Sequence, residues 1–252
     1  MNIVDLVEKN AYLKPNATAY VEIKPVTGSR RASNYAMYYQ TVHQHPLAGG
    51  YIERDPPGTV ELKEFLNQLV SPIGDQNVLA VPSDDERRAI LAELKIERVI
   101  AQPALMTDRA ARATLDYLPI LFGPPIFEDE AVQVYTVQSE AGREILKWQL
   151  APDQESWEVS GDGTMLRLKK PGYLFVYAGQ ASQGQLQVEL QAPATPTELS
   201  LSLNDELPAR YPVEAVASQL SLALSLRPGF NYIRLWTSPP QDIDFQKISI
   251  NN

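Results

Sequence analysis

Near Glu140 the apolar pattern of this chain changes period, and that switch limits the folds open to it more than any other feature. Before it, apolar residues recur at helical spacing behind polar caps: Leu62, Phe65, Leu66 and Leu69 after Thr59, Ile90, Leu91 and Leu94 after Ser83, and Ala110, Ala111, Leu115 and Leu118 after Thr107. After it, apolar and polar residues alternate in short runs divided by Gly, Pro, Asn and Asp: T-M-L-R-L-K, Y-L-F-V-Y-A, Q-L-Q-V-E-L, L-S-L-S-L-N, L-S-L-A-L-S-L, N-Y-I-R-L-W and Q-K-I-S-I. A helix-bearing layer followed by about seven regularly spaced strands predicts an α/β plus all-β chain. The expected architecture is a small α/β domain with a partly parallel sheet over residues 1–140, then a jelly-roll-like β-sandwich over residues 141–252.

Within the first half, residues 3–9 suit a short helix, and Ala19–Ile23 reads as a first core strand stopped by Pro25. Ser83 and Glu86 form a capping box in front of the second strong helix. Asn77–Val81 (N-V-L-A-V) is a short apolar run expected to be a buried parallel strand, with I-E-R-V-I-A at 96–101 as the next strand. Pro119 is expected to end the Thr107 helix, and A-V-Q-V-Y-T-V at 131–137 to form the last strand of the layer. In the second half, strict alternation turns Leu199, Leu201 and Leu203 inward and the intervening serines outward. The composition of residues 139–143 suggests an exposed linker open to limited cleavage.

Charge and composition narrow the function. A net charge of -9 opposes attraction to phosphate backbones, so no nucleic-acid partner is expected. The chain has no cysteine, which removes disulfides, thiolate metal sites and cysteine nucleophiles together. No apolar run approaches the roughly 18 residues of a membrane span, so the stretch shown reads as soluble. Walker, G-x-G-x-x-G, H-E-x-x-H, EF-hand and G-x-S-x-G motifs are all missing, and neither a cofactor nor a catalytic residue is assigned.

The candidate binding stretch is Asn34–Pro57, which gathers both histidines, a Gly-Gly pair, an arginine and four tyrosines. Tyr35, Tyr38, Tyr39 and Tyr51 offer stacking faces with polar tips, suited to sugar rings as to any half-apolar ligand; the alternative is that they pack a helix onto the sheet. His43 and His45 would point one way from a strand, but no third ligand follows at suitable spacing, so no metal is assigned. Gly49 and Gly50 free the backbone to aim Tyr51. Arg54 can fix an anionic group or simply pair with Asp55. A further candidate surface surrounds Trp148, Trp157 and Trp236, against the alternative that these tryptophans are core or edge packing.

The segment Y-Y-Q-T-V-H-Q-H-P-L-A-G-G-Y-I-E-R at 38–54 resembles one found in the soluble C-terminal regions of bacterial multi-pass membrane glycosyltransferases that use polyprenyl-phosphate sugars. The resemblance is carried by Tyr38, Tyr39, Thr41, His43, Pro46, Gly49, Gly50, Tyr51 and Arg54. It extends to A-Y-V-E-I-K-P, L-K-I-E-R-V-I-A and F-E-D-E-A-V-Q-V-Y-T-V, and in the second half to L-S-L-N and R-P-G-F-N-Y-I-R-L. It implies an extracytoplasmic region, at the periplasm or cell surface, tethered to a membrane-embedded portion of the same protein. That family's catalytic acids lie between membrane spans, so none is carried over. The expectation is a non-catalytic accessory module that holds a glycan or lipid-linked acceptor. Two alternatives stand beside it: an independent enzyme using His43, Tyr39 and Arg54, and a purely structural interaction module.

Overall fold

The computed structural model describes residues 19–23, 47–48, 59–72, 78–79, 81–94, 96–106, 109–130, 132–138, 149–152, 156–204 and 206–251. The chain divides into two compact units, Met1–Pro72 with Ser83–Arg143, and Ile73–Pro82 with Glu144–Asn252.

In the first unit, strands β1 (Ala19–Ile23), β2 (Leu47–Ala48), β3 (Ile96–Ala101), β4 (Phe127–Glu128) and β5 (Gln133–Thr136) form one sheet in the order β2-β1-β3-β5-β4. Strand β1 runs parallel to both β2 and β3, while β5 returns antiparallel to β3, so the sheet is partly parallel as expected. Helix α1 (Thr59–Val70) buries Phe65, Leu66 and Leu69, and α2 (Asp84–Glu93) buries Ile90 and Leu91. The capping box of α2 is complete: Ser83 Oγ accepts from the Glu86 amide, and the Ser83 amide donates to Glu86 Oε2 at 2.9 Å. Helix α3 spans Arg109–Phe122 and buries Ala111, Leu118 and Leu121.

The α3 helix corrects one expectation, because Pro119 lies inside it. A proline removes one amide donor and crowds the carbonyl four residues back. Here its ring is exposed, buried Leu121 anchors the following turn, and the Gly123 amide donates to the Pro119 carbonyl at 3.0 Å. The helix closes at Gly123, whose φ of +80° suits a residue without Cβ.

The second unit is an antiparallel sandwich. Strands β7 (Trp157–Val159), β8 (Leu166–Leu168), β10 (Ser182–Leu190), β13 (Ser218–Leu226) and β15 (Ile243–Asn251) make one sheet, ordered β13-β10-β15-β8-β7. Strands β6 (Gln149–Pro152), β9 (Gly172–Ala178), β11 (Thr197–Leu203), β12 (Ala209–Val213) and β14 (Gly229–Ser238) make the other, ordered β12-β11-β14-β9-β6. Leu199, Leu201 and Leu203 do face inward, meeting Leu174, Val176, Leu186, Val188, Leu222, Leu224, Ile233 and Phe245 in one core. Each such side chain contributes roughly 1.5–3 kcal/mol on burial, which is what the alternating pattern encodes.

A second correction concerns Asn77–Val81. Val78 and Leu79 form a turn and a bend, and both are buried in the sandwich core instead of the α/β sheet. A short apolar run announces burial but not the layer that provides it.

Candidate functional site

Tyr38, Tyr39, His43, His45, Gly49, Gly50, Tyr51 and Arg54 all lie outside the described residues, as does Trp148. The part of that stretch which is described is β2, between Pro46 and Gly49, and it pairs with β1 through Tyr20–Leu47 and Val21–Ala48. Of the other tryptophans, Trp157 is a core residue: its indole donates to the Tyr173 carbonyl at 3.0 Å, and its ring lies 5.2 Å from that of Phe245. Trp236 is half-buried beneath the Arg234 guanidinium, 5.4 Å from the ring centre. Among the described residues no group of three His, Cys, Asp or Glu side chains is placed to hold a metal ion.

The two outer faces of the sandwich differ in kind. On the β9–β14 side, Tyr173, Phe175, Phe230 and Tyr232 alternate away from the core and pack ring to ring, with centroids 5.9 to 6.4 Å apart. Phe175 and Tyr232 are only 1% and 3% exposed and serve as packing residues, while Tyr173 and Phe230 are half-buried. Ser200 and Ser202, which alternation also turns outward on this side, are buried too. The opposite sheet carries the solvated face, where Gln183, Gln185, Ser221, Ser225, Arg167 and Glu158 are exposed.

At the β7–β8–β15 end of that solvated face lies a concavity of about 230 Å³, lined by Glu158, Val159, Ser160, Gly161, Met165, Arg167 and Asp244. Strand register builds its floor, since Arg167 stands opposite Glu158 on β7 and opposite Asp244 on β15, which puts the three side chains in one row. Arg167 grips Asp244 with two parallel bonds, Nε to Oδ1 at 2.7 Å and Nη2 to Oδ2 at 2.9 Å. Lys169 Nζ lies 2.6 Å from Glu158 Oε2, and this ammonium holds the Glu158 carboxyl below its ordinary range.

The wall is the β7–β8 hairpin. Its turn is fixed by Asp162 Oδ1, which accepts from Ser160 Oγ at 2.6 Å, from Thr164 Oγ1 at 2.8 Å and from the Thr164 amide at 3.1 Å. Those bonds, the Ser160 hydroxyl first, bring the Asp162 carboxyl down to about 2. Ser160 Oγ in turn accepts the Met165 amide at 2.9 Å, and Gly163 takes the left-handed corner at φ +69°. Chemically the concavity offers fixed acceptors and donors of both signs beside two apolar patches, Val159 and Met165.

None of the residues lining this concavity was singled out by sequence reading. Alternation alone puts Glu158, Arg167 and Asp244 on the polar face, but Arg167 and Asp244 are 77 positions apart and only the β8–β15 pairing brings them together.

No protein-family model matches the chain, and no curated protein matches it. Among solved structures it is similar to a family 35 carbohydrate-binding module from Clostridium thermocellum, at 18% identity and a TM-score of 0.30 over 42% of this chain and 99% of that one. It is likewise similar to a family 35 module from Cellvibrio japonicus, at 10% identity and a TM-score of 0.33 over 42% of this chain and 94% of that one. A ruminal endo-β-1,4-mannanase matches at 14% identity and a TM-score of 0.30, over 38% of this chain and 20% of the enzyme. Likeness at these TM-scores carries nothing about a ligand or a site.

Proposed function

We propose that this chain is a non-catalytic accessory module that binds a glycan through its sandwich, at the concavity floored by Glu158, Arg167 and Asp244. The supporting observation is the paired state of those charges. The guanidinium is held by two bonds to Asp244, so its remaining donors and the carboxylate lone pairs are aimed before any ligand arrives. Such a row suits the adjacent hydroxyls of a sugar, each both donor and acceptor, with Val159 and Met165 left for ring carbons. At about 230 Å³ it lies below the roughly 300–1,000 Å³ of drug-sized sites, so it holds one unit of a longer chain. The parent, in this reading, is a membrane glycosyltransferase-like protein acting outside the cytoplasm, and the module's glycan is its acceptor or product. That part rests on the 38–54 resemblance; among the described residues no helix is long and apolar enough to cross a membrane.

A glycan array probed with the wild-type chain tests the proposal. Retention of a defined glycan class is expected, with a loss of about tenfold or more in Arg167→Ala, the scale of one or two charge-assisted hydrogen bonds. Tyr51→Ala and Arg54→Ala form the second arm. If those variants abolish binding while Arg167→Ala leaves it intact, the ligand sits on the 34–57 stretch and the concavity is not the site.

A further inference from the structure

We infer that the edge of β15 beyond Phe245 is a slot for a short backbone segment, and that its occupant is this chain's own Val78–Leu79, inserted from the N-terminal half as an obligatory piece of the sandwich. On one side β15 pairs with β10 from Phe245 through Asn251, but on the other side β8 covers only Ile243–Phe245. Past that point the second edge of β15 would present unpaired amides, a position sheets do not leave open without protection. The Ile248 amide is used there: it donates to the Val78 carbonyl at 2.9 Å. Val78 and Leu79 are 2% and 6% exposed, and both belong to the core cluster that contains Ile248, Phe245 and Val188. The slot therefore selects a short apolar segment that supplies a backbone acceptor and two core side chains at once. The chain accordingly passes between its units at 72/73, 82/83 and 143/144.

This placement bears on the cleavage expected at residues 139–143. A cut there leaves Val78 and Leu79 on the N-terminal fragment while they remain in the sandwich core.

The tests use the full chain. All three tryptophans, at 148, 157 and 236, lie in the second unit, and the helices α1 to α3 lie in the first. Tryptophan fluorescence and helical circular dichroism thus report the units separately. Val78→Asp is expected to lower the tryptophan-detected urea midpoint by on the order of 1 M, because a carboxylate is forced into the core. An unchanged tryptophan transition, with or without a shift in the helical signal, overturns the inference. Hydrogen exchange on the unmodified protein covers the case in which Val78→Asp fails to fold. The Ile248 amide is expected to exchange as slowly as core amides of β10, and exchange roughly 100-fold faster than Val188 overturns it.

Discussion

The side chains of Asn204 and Asn231 are bonded to each other, Asn204 Nδ2 donating to Asn231 Oδ1 at 2.9 Å. They close one end of the sandwich. Asn204 follows β11 with φ +48°, and its Oδ1 accepts the Tyr232 amide at 3.1 Å while its own amide donates to the Tyr232 carbonyl at 3.0 Å. Asn231, fully buried, also accepts the Arg227 amide and donates to the carbonyls of Arg227 and Gly229. Asn231→Ala strands those groups and is expected to cost on the order of 3 kcal/mol. Asn204→Gly should be milder than Asn204→Ala, since glycine keeps the left-handed backbone. Denaturant melts followed by tryptophan fluorescence check both; equal losses at position 204 would show that the backbone conformation contributes nothing.

Gly172 has no room for a side chain. A Cβ there would meet the Ser156 Cβ at 2.6 Å, the Trp157 Nε1 at 2.8 Å and the Leu168 Cδ1 at 2.9 Å. Gly172→Ala is expected to cost about 1–3 kcal/mol by overpacking and to shift the Trp157 emission. Thermal melts with emission spectra test this.

Arg87 binds the end of α1 from α2. It is buried at 3% exposure, donates to the carbonyls of Gln68, Leu69 and Ser71 at 3.0, 3.3 and 2.6 Å, and stacks 5.5 Å from the centre of the Tyr117 ring. Burial lowers its pKa, the cost of taking a cation out of water, whereas the helix C-terminus that it meets favours the charge. Arg87→Met leaves those carbonyls without their donor and is expected to cost about 3 kcal/mol, read from the helical signal.

Alkaline pH should loosen the same cluster. Burial, then a hydrogen bond to Asp84, pushes the Tyr117 hydroxyl up to about 12. A folded pKa above the unfolded value of about 10 means that the folded state holds the proton more tightly. The contribution is complete below pH 10 and lost as pH rises toward 12. Tyr135, raised in the same direction by burial, adds to the decline. Tyr117→Phe is expected to flatten part of the fall in stability across that window; an unchanged profile contradicts the assignment.

In acid the sign is opposite. Asp162, brought down to about 2, stabilises the β7–β8 turn above its unfolded range near 4 and loses that effect as pH falls toward 2. Tryptophan-detected melts between pH 4 and 2 should show a smaller decline in Asp162→Asn than in the wild type.

What could be read in advance follows from what each pattern encodes. Alternation marks β9, β10, β11, β13 and β14 because each turns one face to a dry core. Strand β12, A-R-Y-P-V, escaped notice because it is an edge strand with exposed residues and a proline. The four-residue β6 and three-residue β7 are too short for alternation to register. Asn204 and Asn231 stood in segments quoted for the resemblance, yet their bond depends on β11 pairing with β14. The concavity was illegible for the same reason: its residues come from β7, β8 and β15 and share nothing locally. The stretch around Tyr51 stood out by composition alone, which marks a candidate without placing it.

The most direct test of the central claim is a nuclear magnetic resonance titration of the full chain with a glycan retained on the array. Amide shifts are expected to concentrate on Glu158, Ser160, Met165, Arg167 and Asp244, to saturate with one affinity, and to vanish in Arg167→Ala. Shifts that concentrate anywhere else in the chain, or that persist unchanged in Arg167→Ala, contradict the assignment of the site.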